Sequence, residues 1–142
     1  MGLSVVSTPP SDIHATLERV FGYSGFRPQQ REIIEDLIAG RDAFVLMPTG
    51  GGKSLCYQLP ALCRPGVAIV VSPLISLMKD QVDALQANGV AAACYNSSQD
   101  SETARQVLAR LHNRELDLLY ISPERLISGG FLERLQEIKI AL

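Results

Sequence analysis

The sequence has 142 residues, of which 46% are hydrophobic and 20% charged. That is the length and balance of one folded domain able to bury a core, and it excludes a disordered chain. The formal net charge of −2 and isoelectric point of about 5.6 lend no bulk support to nucleic-acid binding, so any such contact must come from local groups. No apolar run approaches the roughly 20 residues of a membrane span. The start, MGLSVVSTPP, lacks the basic-then-apolar pattern of a secretory signal, so a cytoplasmic location and no membrane partner are expected.

Residues 1–10 read as a frayed leader ending in Pro9-Pro10. Ser11 can cap a helix in which Ile13, Leu17, Val20 and Phe21 recur at helical spacing, with Gly22 ending it. A second helix is predicted from Pro28, with Ile33, Ile34, Leu37 and Ile38 as its stripe and Gly40 as its close. Together they make an N-terminal helical segment, 11–40. From residue 41 the pattern changes. Ala43–Met47 is a short apolar run with the look of a buried strand. Lys53–Leu62 reads as a helix disturbed near its end by Pro60, Val67–Val71 as a strand, and Leu74–Ala87 as a helix with Leu77, Met78, Val82 and Leu85 on one face. Ala91–Tyr95 is a weaker strand, Ser101–His112 a helix, Leu116–Ile121 a strand and Phe131–Ile138 a helix. Ile140–Leu142 resembles the beginning of another strand. Strands alternating with helices predict an α/β fold, a parallel sheet with helices on both faces, over 41–142.

The three cysteines, Cys56, Cys63 and Cys94, form no C-x-x-C pair, so neither a disulfide framework nor a zinc site is indicated and small buried thiols are expected. His14 and His112 stand alone on predicted helices. Coordination of a metal by a protein side-chain cluster is not expected.

The chemistry is concentrated in Met47–Ser54 (MPTGGGKS), between a predicted strand and a predicted helix. The strict phosphate-loop pattern asks for glycine where Met47 stands, but Gly50, Gly51, Gly52, Lys53 and Ser54 are all in place. Glycines let successive backbone N–H groups turn toward phosphate oxygens, and the positive end of the following helix adds to the same spot. Lys53 can reach the β and γ phosphates and the Ser54 hydroxyl can hold Mg²⁺. The plain alternative, a flexible strand-to-helix connection, leaves Lys-Ser after three glycines unexplained. A nucleoside-triphosphate site in P-loop NTPase style is the reading, with Met47, Pro48, Thr49 and Gly50–Gly52 as the cradle.

Met47–Gln58 (MPTGGGKSLCYQ) resembles motif I of the RecQ family of superfamily 2 DNA helicases, in which methionine replaces the first glycine. Upstream, Leu17, Phe21, Gly22, Phe26, Arg27 and Gln30 satisfy each fixed position of that family's motif 0. Downstream, Val71–Val82 (VSPLISLMKDQV) is similar to motif Ia and Tyr120–Leu126 (YISPERL) to motif Ib, with bacterial RecQ the nearest match. The resemblance implies a RecA-like first helicase lobe, ATP and Mg²⁺ as cofactors, and ATP-dependent DNA unwinding of 3′-to-5′ polarity in repair and recombination. It implies that Gln30 reads adenine through its amide, which both donates and accepts, and that Tyr23 and Arg27 sandwich the base by stacking. Without the family, Tyr23 and Phe26 would more often be core aromatics and Gln30 an exposed helical residue. Ser72, Ser76, Lys79 and Arg125 are implied to follow the DNA backbone, for which hydroxyls and cations suit. Capping by Ser72-Pro73 and Ser122-Pro123 is compatible with that role.

Hydrolysis also needs an acidic Mg²⁺ partner and a group that orients water. RecQ helicases carry both in a D-E-x-H motif, which this sequence lacks. The expectation is an N-terminal piece that stops before that motif and before the second lobe with its arginine finger, binding ATP but not unwinding DNA; single-stranded or branched DNA is the partner expected of the parent protein. Nothing in the sequence sets an oligomeric state. A non-enzymatic remnant is the alternative, followed by an RNA helicase of the DEAD-box kind, although Ser72–Leu77 (SPLISL) departs from that group's motif Ia. A small kinase or transporter ATPase fits less well, because Leu17–Gln30 has no place in it.

Overall fold

The computed structural model describes residues 10–46 and 53–142, which divide between Arg64 and Pro65 into two compact units. Of the leader expected over 1–10, residues 1–9 lie outside the described residues and Pro10 begins a helix; the expectations for 47–52 also lie outside them.

The first unit is helical. Helix α1, Pro10–Thr16, continues into a wider π-helical turn, Leu17–Phe21. Gly22 ends it in the left-handed conformation (φ 75°), and its N–H donates to the Glu18 carbonyl at 3.1 Å. This is the helix-closing role that only glycine fills without strain. Helix α2 spans Gln30–Ile38 and α3 spans Lys53–Cys63. Their apolar faces meet that of α1 around Ile13, Leu17, Ile34, Leu55 and Leu59, with Phe21, Phe26, Ile38 and Cys63 at the margin. Full burial of a leucine or isoleucine side chain contributes about 1.5–3 kcal/mol, and Leu17, Ile34 and Leu59 are fully enclosed. That packing carries α3 through Pro60, which removes one helical hydrogen bond, to Cys63.

Two expectations shift here. Helix α2 starts at Gln30, two residues later than the Pro28 expected, because Gln29 takes a left-handed backbone (φ 74°) that no right-handed helix admits. The strand expected at Ala43–Met47 does not form over 43–46: Phe44 is 90% and Leu46 82% exposed. A strand is held by its ladder, and among the described residues none pairs with this run.

The second unit is a parallel three-stranded sheet. Its strands β1 (Ala68–Val71), β2 (Ala92–Tyr95) and β3 (Leu118–Ile121) lie in the order β1-β3-β2. The register aligns Val71 with Ile121 and Tyr95 with Ile121, so all three strands end level. Helix α4 (Ile75–Ala87) follows β1, α5 (Ser101–His112) follows β2, and the short helices α6 (Pro123–Ile127) and α7 (Phe131–Leu135) follow β3. Side chains alternate across a strand. Odd-numbered Val67, Ala93, Leu119 and Ile121 pack with Val107 and Leu111 of α5 and Phe131 of α7. On the even-numbered side Cys94 lies within electrostatic reach of Asp83 and Lys79 of α4. Helices therefore cover both faces, as expected.

The strands are shorter at their starts than the apolar runs suggested, and α7 ends at Leu135 rather than Ile138. The chain there tightens into a series of three-residue bonds, such as Ile138 N–H to the Leu135 carbonyl at 3.2 Å. Ile140 makes one parallel bridge to Val67. Val67 donates to the Lys139 carbonyl at 3.0 Å and accepts from Ala141 N–H at 2.9 Å, whereas the next residue, Ala68, donates to Asp117 at 2.8 Å. Alternate residues of a parallel strand bond to opposite neighbours, so the 139–141 segment lies along the edge of β1 away from β3. Gly66 (φ 108°) makes this approach possible: a Cβ there would sit 2.5 Å from the Lys139 carbonyl oxygen.

Candidate nucleotide cleft and strand-end surface

The first unit holds an open cleft of about 150 Å³ lined by Phe21, Tyr23, Gly25, Arg27, Gln30, Ser54, Leu55 and Gln58. Three segments build it: the end of the π-helical turn, the 22–29 connection with the start of α2, and the first turns of α3. The sequence reading singled out Tyr23, Arg27, Gln30 and Ser54, separated by up to 31 positions, and the fold brings all four to one cleft. Gln30 is only 3% exposed, unlike the solvent-facing helical residue that its position alone would suggest. Its Oε1 accepts the Arg27 backbone N–H at 2.7 Å, which ties the side chain to the connection before α2. Tyr23 is 55% exposed, so its ring is no core aromatic and has a face available for stacking. Phe26 is the structural member of the group, half-buried against the α1–α3 core, its ring centroid 5.2 Å from that of His14. His14 in turn meets Arg31, with Nε2 2.9 Å from Nη1; arginine only donates, so this ring nitrogen accepts.

Lys53 and Ser54 occupy the first turn of α3, Lys53 exposed and Ser54 half-buried. The first N–H groups of a helix have no partner within it, and the helix dipole makes that end positive. An anion placed at this end meets the lysine charge, the serine hydroxyl and the dipole together. The rest of the cradle, Met47–Gly52, falls outside the described residues. Phe21, Leu55 and Gln58 line the cleft although the sequence reading gave them no site role. The signal for Gln58 was present, since it lies four residues after Ser54 and so on the same helix face.

The groups implied for a DNA backbone lie in the second unit, after strand ends. The level ends of β1 and β3 put Ser72 and Ser122 side by side, and Ser72 N–H donates to the Ile121 carbonyl at 3.0 Å. Ser122 caps as anticipated, its Oγ accepting Arg125 N–H at 3.4 Å at the start of α6. Ser72 does not cap α4, whose N-cap is Leu74; its Oγ instead accepts Leu74 N–H at 3.2 Å in the turn before the helix. Ser76 and Lys79 are exposed one turn apart on α4. Lys79 pairs with Asp83 at 2.8 Å, and that carboxylate raises the ammonium pKa above its ordinary value. Arg125 lies over the Tyr95 ring, 4.9 Å from its centroid, and its Nε is buried with no hydrogen-bond partner among the described residues. Tyr95 as a support for Arg125 had no signal in the sequence, because only the parallel register joins the two.

The thiols take no part in either surface. Burial raises the pKa of Cys56 and, together with Asp83, that of Cys94, keeping both as neutral thiols, and none of the three cysteines is in a disulfide among the described residues. No described helix is long and apolar enough to cross a membrane.

A parallel sheet covered on both faces, with polar groups at the strand ends, is the architecture of a helicase lobe, and the chain belongs to the DEAD/DEAH box helicase family, whose model matches residues 27–141. Within that family its likeness is to RecQ helicases. It is 49% identical over 138 residues to the ATP-dependent DNA helicase RecQ of Haemophilus influenzae, covering 97% of this chain and 22% of that protein. It is 50% identical over 125 residues to the RecQ of Pasteurella multocida (88% and 20%) and 50% over 122 residues to the ATP-dependent helicase SGS1 of Saccharomyces cerevisiae (83% and 8%). These identities bear out the resemblance read from the motifs. The chain spans about a fifth of the length of the two bacterial relatives.

Proposed function

We propose that this chain is the N-terminal ATP-gripping part of a RecQ-like 3′-to-5′ DNA helicase that acts in cytoplasmic DNA repair and recombination. The observation that carries the reading is the single cleft joining Gln30, Tyr23 and Arg27 to Ser54 at the start of α3. The residues suit ATP: a buried amide to pair with a purine edge, an exposed ring and a guanidinium to stack on it, and a lysine and hydroxyl at a helix start for phosphates and Mg²⁺. Met47–Gly52 would wrap the phosphates. The bound nucleotide supplies the phosphoanhydride whose cleavage drives unwinding; the chain's own residues bind and orient it.

Ser72, Ser76, Lys79 and Arg125 would contact the backbone of single-stranded or branched DNA. Such contacts carry no sequence preference and weaken with salt. The net charge of −2 makes this contact local. Without a D-E-x-H motif, this chain is expected to bind ATP without turning it over.

Labelled-ATP binding in the presence of Mg²⁺ tests the reading. The chain should bind ATP, and Lys53→Ala should weaken binding more than tenfold, about 1.4 kcal/mol or more. Unchanged affinity in Lys53→Ala would refute the phosphate grip. ATP turnover that Lys53→Ala abolishes would refute the need for the missing motif.

A further inference from the structure

Gln58 is 7% exposed, on a helix whose other enclosed residues are apolar or small: Leu55, Cys56, Leu59, Pro60 and Ala61. A buried amide needs its polar atoms bonded, and Gln58 has a partner within the protein. Gln58 also lines the cleft that holds Gln30. It is therefore one of two buried amides converging on the same space from different helices, α2 and α3. An amide side chain has two donors and an acceptor with two lone pairs, so a bond within the protein leaves capacity for a ligand.

Its position along α3 says which part of the ligand it meets. Ser54 and Gln58 share a helix face one turn apart, a rise of about 5.4–6 Å. Phosphates belong at the helix start, by Lys53 and Ser54. A group one turn further on, beside Gln30, lies past the phosphates and alongside the nucleoside. Resting on the nucleotide reading above, we infer that Gln58 is a second specificity-determining residue of the cleft, hydrogen-bonding the nucleoside half of ATP.

The test compares two ligands on the full chain with Mg²⁺: ATP, and inorganic triphosphate, which has the phosphates and no nucleoside. The variant is Gln58→Met, close in length and flexibility but apolar. ATP affinity should fall roughly threefold to tenfold, the range for one hydrogen bond, while triphosphate affinity stays unchanged. Equal losses for both ligands would mean that the change only disturbs α3, and no loss for ATP would mean that Gln58 does not touch it; either overturns the proposal. Gln58→Asn keeps the amide but shortens its reach, and should show the same ATP-only loss; circular dichroism of both variants separates lost contacts from lost folding. A wild-type chain that binds ATP no more tightly than triphosphate would overturn the nucleotide reading itself. A normal wild-type preference with an unaffected Gln58→Met overturns this inference alone.

Discussion

The two units solve the problem of burying apolar residues differently. In the sheet unit each strand of the ladder has a neighbour and helices close both faces, so Leu118, Leu119 and Ile121 are fully enclosed. In the helical unit the core of α1, α2 and α3 is closed, yet Phe44 and Leu46 stand in solvent and Tyr23 and Arg27, proposed to stack on a base, are exposed. The contrast is between a unit whose apolar side chains are closed in by a paired ladder and one that leaves several large side chains accessible.

The largest effect should separate them by packing. Leu119→Ala removes a fully buried side chain from the centre of the sheet and should cost about 2–5 kcal/mol of unfolding free energy. Phe44→Ser, at a 90% exposed position, should stay within about 0.5 kcal/mol. Denaturant titration of both variants checks this, and a Phe44→Ser loss comparable to Leu119→Ala would break the comparison. A smaller effect is expected at Gly66. Alanine there must adopt a positive φ and push against the Lys139 carbonyl, costing about 1–3 kcal/mol and raising amide exchange at Val67 and Ala141, the donors of that bridge. Unchanged exchange would mean that the 139–141 segment does not need the close approach.

The smallest effect concerns acid. Asp100 caps α5, accepting Thr103 N–H at 2.7 Å, and this bond holds its carboxyl below the usual carboxylate range. A depressed folded pKa means a contribution that is complete above the unfolded value and lost as pH falls through the folded one. Asp100→Asn keeps a good cap without the titration. The thermal midpoint of the variant should thus fall less between pH 7 and pH 3 than that of the wild type; an equal fall would leave the cap without a role in acid sensitivity.

Much of this was legible in advance where local pattern and tertiary context agree. Ser101–His112 formed at the bounds expected, because Asp100 caps it and Ala104, Val107 and Leu111 give it one buried face. The α/β class followed from alternation alone. The run at 43–46 misled because composition identifies a strand only when a ladder partner exists. Gln29 misled because nothing in its residue type announces a left-handed backbone. Tyr23, Arg27, Gln30 and Ser54, which line one cleft, were recognisable as a group from motif spacing. Gln58 carried a weaker signal, its spacing of four from Ser54, and Tyr95 carried none, since only the strand register brings it beside Arg125.

The central claim is that the helical unit reads a purine base through Gln30. Its most direct test is the ratio of ATP to GTP affinity for the full chain and for Gln30→Ala, measured by equilibrium binding with Mg²⁺. The wild type should prefer ATP and Gln30→Ala should lose that preference, while Lys53-dependent triphosphate binding persists. An equal ATP-to-GTP ratio in both proteins would contradict it.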